Sequence, residues 1–112
     1  MKDKRRHSRY PAAEMSYVVG LQSPGLITDV SEGGIGVRYK GADDLPEEVL
    51  IDLLNASKSI IIDQVRCRKV RDETLGRVAV FSYVSERRLG LEFVKPDIDM
   101  LDALVGFVGK EN

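Results

Sequence analysis

Over residues 14–94, apolar and polar positions alternate with a period of two, and Gly, Pro, Ser, Asn or Asp interrupt the alternation every few residues. A chain patterned this way buries its apolar side chains as short antiparallel strands, and the spacing predicts six or seven of them in a small barrel or sandwich. In the first strand Met15, Tyr17 and Val19 are expected to share one face, with Glu14 and Ser16 on the other. Ser23, Pro24 and Gly25 then turn the chain into a second strand over residues 26–30. Ser31, Glu32, Gly33 and Gly34 turn it again, and Ile35, Val37 and Tyr39 alternate with Gly36, Arg38 and Lys40, which completes a hairpin. An acidic stretch with Pro46 reads as a surface loop before a strand over residues 49–54, and residues 55–58 make the next turn. Residues 60–71 form the longest extended segment, in which Lys69 and Val70 reverse the phase and predict a bulge. Residues 72–76 and 85–88 read as turns, with closing strands over 78–84 and through Leu89, Leu91 and Phe93. After Pro96 the period changes. Ile98, Leu101, Leu104 or Val105, and Val108 recur at helical spacing behind Asp97 and Asp99, while Gly106 and Gly109 make a weak helix.

The 112 residues are enough for one domain, and 43% hydrophobic with 31% charged residues give a core that needs no staple. Cys67 is the only cysteine, so an intramolecular disulfide and a cysteine-based zinc centre are both excluded, and a reducing compartment fits. No apolar run follows the basic start as a signal peptide requires, and none elsewhere has the length to cross a bilayer. The expected location is the cytoplasm, with no membrane insertion. The net charge of −1 hides an asymmetry: Lys2, Lys4, Arg5, Arg6 and Arg9 stand against Asp3 alone, an arm of +4 before a body of −5. The chain therefore divides into a basic arm, residues 1–12, and a folded body, residues 13–112.

Catalytic chemistry has little to work with. The single histidine, His7, sits in the arm, so Ser31 lacks an imidazole base in the body and no histidine group can hold a transition metal. Asp43 and Asp44 read as a solvated acidic pair. Gly33, Gly34 and Gly36 are followed by a strand and by no Gly-Lys-Ser or Gly-Lys-Thr, which excludes a phosphate loop of the nucleotide triphosphatase kind. The expectation is a protein that is no enzyme and has no cofactor.

Two short segments remain. One is Lys4-Arg5-Arg6-His7-Ser8-Arg9, which alone would be a solvated tail; the other is Asp29-Val30-Ser31-Glu32-Gly33-Gly34, which alone would be a hairpin turn. Together they complement one class of ligand. Arginine binds phosphate oxygens or the O6 and N7 edge of guanine with two donors, and its flat face stacks on a purine. A carboxylate accepts from guanine N1 and N2, a serine hydroxyl gives or accepts one bond more, and a glycine turn allows close approach.

Arg5-x-x-x-Arg9 followed twenty residues later by Asp29-x-Ser31-x-x-Gly34 resembles the two-part signature of the PilZ domain family, bacterial receptors for cyclic di-GMP, and Leu89-Gly90-Leu91-Glu92-Phe93 resembles its closing strand. The resemblance implies an all-β fold, a six-stranded antiparallel barrel with a C-terminal helix. It implies that Arg5 and Arg9 bind guanine and phosphate groups with Arg6 beside them, that Asp29 and Ser31 meet a guanine edge, and that Gly33 and Gly34 shape the turn. Family members take one ligand or an intercalated pair, and the residue before the first arginine, here Lys4, influences which. The implied role is a stand-alone adaptor, monomer or homodimer, whose arm folds over the ligand and signals to a downstream protein partner in motility or biofilm control. The alternatives are a PilZ-fold adaptor that binds only protein, and nucleic-acid association through the arm with Arg66, Arg68, Lys69 and Arg71, which the net charge opposes.

Overall fold

The computed structural model describes residues 8–42 and 44–109. In chain order the strands are β1 (Tyr10–Pro11), β2 (Ser16–Val19), β3 (Gly25–Val30), β4 (Gly34–Gly41), β5 (Glu48–Asn55), β6 (Ile60–Arg77) and β7 (Ser85–Phe93), followed by helix α1 (Ile98–Leu104) and a 3₁₀ turn over Val105–Phe107. The sheet runs β1-β3-β2-β5-β6-β7-β4, all antiparallel, and a further pairing of β4 with β3 closes six of the strands into a barrel. Because β4 occupies one edge of β3, β1 and β2 share the other. β2 takes its first half at Gly25 and Leu26, and β1 takes its second half at Asp29 and Val30. The expected six-stranded barrel with a C-terminal helix is present, with β1 as an outer seventh strand.

Inward positions carry the core. Val18, Ile27, Val30, Ile35, Val37, Ile51, Leu53, Val65, Cys67, Leu89 and Leu91 are each no more than 4% exposed. At this density the transfer of apolar surface from water is the main force holding the barrel. The Cys67 thiol lies in that interior, and burial pushes its pKa up to about 12.

At one end of the barrel the inward row turns polar. Arg87 follows the same phase as Leu89 and Leu91, is 7% exposed, and donates to both oxygens of Asp72, from Nε at 3.0 Å and from Nη2 at 2.7 Å. Its Nη2 also reaches Asp44 at 3.0 Å, and Lys69 lies 3.6 Å from Asp72 while donating to the carbonyl of Leu45. This cluster pins the loop between β4 and β5 over the barrel mouth. Burial opposes the charge on Arg87, but the hydrogen bonds to Asp44 and Asp72 outweigh it and raise its pKa. Tyr39 sits beside it with a buried hydroxyl that finds no hydrogen-bond partner among the described residues.

Three sequence expectations are corrected here. In β2 the inward residues are Ser16 and Val18, because Met15 takes a left-handed turn (φ 63°) that resets the phase, and Asn55 Nδ2 satisfies the buried Ser16 hydroxyl at 2.9 Å. Residues 72–76 are no turn but a continuation of β6, and residues 85–88 belong to β7, since Asp72 and Arg87 find in each other the partners that permit polar residues inside. Residues 78–84, although they alternate like a strand, form the tip of this long hairpin, closed by Val78 N donating to the Val84 carbonyl at 3.0 Å. The bulge expected near Lys69 and Val70 is present as a register shift between Lys69 and Arg71.

Helix α1 begins with Asp97, whose Oδ1 accepts from Met100 N at 2.8 Å. Leu104 and Phe107 are buried, while Ile98 and Val105 face outward at 70% and 69% exposure, so the apolar stripe is narrower than the periodicity suggests. The segment after α1 clamps the start of the barrel: Ala13 N donates to Phe107 O at 2.7 Å, and Gly109 N donates to Pro11 O at 2.7 Å. No helix among the described residues is long and apolar enough to cross a membrane.

Candidate functional site

Strand β3 carries a register shift between Ile27 and Asp29, where it pairs with β4. The extra residue turns both Thr28 and Asp29 toward the outer surface, over Gly36. A Cβ built on Gly36 would lie 2.8 Å and 2.9 Å from the two Asp29 carboxylate oxygens and 2.9 Å from Thr28 Oγ1. Gly36 pairs in register with Gly90 of β7, and Gly90 pairs with Arg71 of β6 at the second bulge. There a Cβ on Gly90 would lie 3.2 Å from Arg71 Cβ and 3.4 Å from Val70 Cγ2. Four adjacent strands thus carry one row: a carboxylate, two bare glycines and a guanidinium, spanning about 14 Å at ordinary strand spacing.

The row forms the floor of an outer groove of about 450 Å³, lined by Arg9, Thr28, Asp29, Gly36, Arg38, Val70, Arg71, Arg88, Leu89 and Gly90. Such a volume suits a compact organic ligand. Four of the lining residues are arginines and one is acidic, so the groove is cationic on a body that is acidic overall. Arg38 is paired with Glu86, and Arg88 lies 3.9 Å from Glu73. Arg71 has no carboxylate within ion-pair distance among the described residues, and its charge is available to a ligand.

Arg9 stands where the arm meets the barrel. β1 pairs Tyr10 with Val30 and Pro11 with Asp29, which delivers the preceding residue to the groove rim, and Arg9 Nη1 donates to Asp29 Oδ1 at 2.6 Å. Both side chains remain about one-third exposed, at 37% and 35%. The two halves of the sequence signature, twenty residues apart, meet in one contact.

Ser31 is 7% exposed and serves the turn that follows β3. Its hydroxyl accepts from Gly33 N and Gly34 N, both at 3.2 Å, and donates to Gly34 O at 3.3 Å, while Ser31 N donates to the same carbonyl at 2.9 Å. Gly33 O accepts from Phe93 N at 2.9 Å, which docks the turn on β7. Gly34 is buried where any side chain would collide with the Leu91 carbonyl, so its place is set by close approach of backbones. Of the expected site residues, Arg9 and Asp29 therefore face the groove. Ser31, Gly33 and Gly34 build the turn at its end, and Arg5 and Arg6 lie outside the described residues.

Gly36, Arg88 and Gly90 were not singled out as site residues by the sequence, and Arg71 only as part of the nucleic-acid alternative. The available signal was phase: Gly36 between Ile35 and Val37, and Gly90 between Leu89 and Leu91, are glycines at outward positions of regular strands, where a side chain costs nothing to keep. Among the described residues no group of His, Cys, Asp and Glu could hold a metal ion.

No family model and no curated protein matches the sequence. Solved structures do match. The PilZ domain of YcgR from Escherichia coli with c-di-GMP superposes with a TM-score of 0.67 at 17% identity, covering 93% of this chain and 88% of that one. The K. pneumonia MrkH–c-di-GMP complex superposes with a TM-score of 0.70 at 14% identity, covering 94% of this chain and 51% of that one, so this chain corresponds to about half of it. At these identities the likeness is one of architecture, and with the closed barrel, the outer strand and the C-terminal helix in place, the chain has the fold of a PilZ domain.

Proposed function

We propose that the outer groove is a receptor site for cyclic di-GMP and that the protein acts without catalysis, as an adaptor whose arm responds to the ligand. The observation that carries this reading is the Arg9–Asp29 contact at 2.6 Å on the rim of a cationic groove whose floor carries two glycines, Gly36 and Gly90. Asp29 offers its carboxylate to the N1 and N2 donors of a guanine, and Arg9, released from it, takes a phosphate or the O6 and N7 edge. Gly36 and Gly90 let a flat ring lie against the backbone, and Arg71 and Arg88 face the second half of the ligand with its remaining negative charge. Ser31 holds the turn that positions this end of the groove. Arg5 and Arg6 join through the spacing of the arm, residues 1–12, as further cations around the phosphates. Both solved neighbours are c-di-GMP complexes on this same architecture, which supports the choice of nucleotide.

Signalling follows from the clamp between Pro11, Ala13 and the segment after α1. A change in the partner of Arg9 is passed through β1 to backbone that is hydrogen-bonded to Phe107 and Gly109, and so to the C-terminal surface that a downstream protein would meet. The reading places this activity in the bacterial cytoplasm, where the nucleotide and a reduced Cys67 coexist.

Calorimetric titration with cyclic di-GMP, with GTP and cyclic GMP as competitors, tests the proposal. The expected result is binding of the cyclic dinucleotide that neither competitor displaces at equal concentration. Arg9→Ala removes a charged hydrogen bond of about 1.5–3 kcal/mol, a tenfold to hundredfold loss of affinity. Equal affinity in the two proteins would remove the arm from the site.

A further inference from the structure

Strand β1 is two residues long, and on one edge it pairs with β3, Tyr10 opposite Val30 and Pro11 opposite Asp29. Two residue pairs on one edge are marginal by themselves. The other edge is held by the segment after α1. Alternate residues point each way: Ala12 N donates to Thr28 O of β3 at 3.1 Å, while Pro11 O accepts from Gly109 N at 2.7 Å and Ala13 N donates to Phe107 O at 2.7 Å. Between these bonds Ala12 and Val108 form an antiparallel bridge. Residues 107–109 therefore serve β1 as a second sheet neighbour, and Pro11, which has no N–H, meets them with its carbonyl. Gly109 sits at the closest approach. A Cβ there would lie 2.8 Å from Ala12 O and 3.0 Å from Pro11 O, backbone atoms that move only if β1 moves.

We infer that Gly109 is a positioning residue for the outer groove, acting through β1 on Arg9; the inference rests on the cyclic di-GMP reading of that groove. Arg9 immediately precedes β1, and its side chain is 37% exposed, so packing does little to place it. What brings Nη1 to 2.6 Å from Asp29 Oδ1 is the path of the backbone behind it. With Gly109 bare, the C-terminal segment lies close enough to hold β1 against β3, which delivers Arg9 to the rim. A side chain at 109 separates the two backbones, β1 loses its second edge, and Arg9 withdraws from the place where a phosphate or a guanine edge would meet it. The coupling is reciprocal, so ligand on Arg9 also tightens residues 107–109. Gly106, three residues earlier, has no such role: a Cβ there would meet Ile60 Cδ1, the end of a side chain that can turn aside.

Calorimetric titration with cyclic di-GMP of wild type, Gly109→Ala, Arg9→Ala and the double variant tests the inference. Gly109→Ala should bind about tenfold more weakly than wild type, and the double variant no more weakly than Arg9→Ala, since both substitutions remove the same contact. Gly106→Ala should keep its affinity within about twofold of wild type. Hydrogen exchange without ligand reads the clamp directly: the Ala12 amide should exchange faster in Gly109→Ala, while the amides of β4 and β7 keep their wild-type protection. Wild-type affinity in Gly109→Ala, losses that add in the double variant, an equal loss in Gly106→Ala, or unchanged exchange at Ala12 would each overturn the inference. Absence of binding by the wild-type chain would instead refute the nucleotide reading, and exchange at Ala12 would still decide whether Gly109 holds β1.

Discussion

Two glycines of neighbouring positions in one hairpin are there for different physical reasons. At Gly34 a Cβ would strike the carbonyl of Leu91, a backbone atom that cannot give way, so Gly34→Ala should destabilise the fold by about 1–3 kcal/mol in urea unfolding. At Gly36 the Cβ would press on Asp29 and Thr28 side-chain oxygens 2.8–2.9 Å away, which can swing aside. Gly36→Ala should therefore leave stability within about 0.5 kcal/mol of wild type. It should still reduce affinity for cyclic di-GMP by roughly tenfold, because it displaces the carboxylate and fills the floor where a ring would lie. Unfolding and titration of the two variants side by side check this; equal stability losses in both would mean that Gly36 serves packing. Ser31 serves its own turn, since every hydrogen bond of its hydroxyl lies within residues 31–34.

At the scale of elements, the polar end of the barrel decides how far β6 and β7 extend. Arg87 and Asp72 stand opposite the hydrophobic expectation for inward positions, and each is tolerated because the other satisfies it. Arg87→Met leaves Asp72, 12% exposed, with Lys69 at 3.6 Å as its remaining ion-pair partner among the described residues, and should cost about 3 kcal/mol. The double variant Arg87→Met with Asp72→Leu should recover a large part of that loss, since an apolar pair replaces an ion pair in place. Chemical denaturation of the single and double variants measures the coupling, and strict additivity would show that the ion pair does not act as a unit. The same cluster holds the loop between β4 and β5 through Asp44 and Leu45, so the single variant should also raise hydrogen exchange there.

For the whole molecule, burial of the Cys67 thiol couples stability to alkaline pH. Its pKa in the fold is about 12 against an ordinary value of 9.0, so between those values the unfolded chain loses the proton while the folded chain keeps it. The stabilising contribution is complete below pH 9 and falls as pH rises toward 12. Tyr39, whose pKa burial also raises, adds to the decline above pH 10. Cys67→Ala should be less stable at neutral pH for lack of packing, yet lose less between pH 9 and 11 than wild type does. Denaturant midpoints at those two pH values test the sign, and parallel losses would refute it. The acidic body and cationic groove together should also make nucleotide affinity fall with salt.

Alternation and turn residues in the sequence were sufficient for the strands over residues 26–40 and 49–71, for the bulge near Val70, and for the helix after Pro96, because each depends on side chains close in the chain. The spacing of Arg5 and Arg9 from Asp29, Ser31 and Gly34 was sufficient to nominate a site and a family resemblance. Tertiary structure alone decided that Ser16 faces inward, since Asn55 lies 39 residues away, and that residues 72–76 continue a strand, since Arg87 lies 15 residues beyond Asp72. It alone assembled the groove floor, where Gly36 and Gly90 become neighbours only when β4 pairs with β7. Local pattern reports which face a residue prefers; which polar residues are satisfied on the inner face, and which bare positions adjoin on the outer one, depends on strand pairing between distant segments.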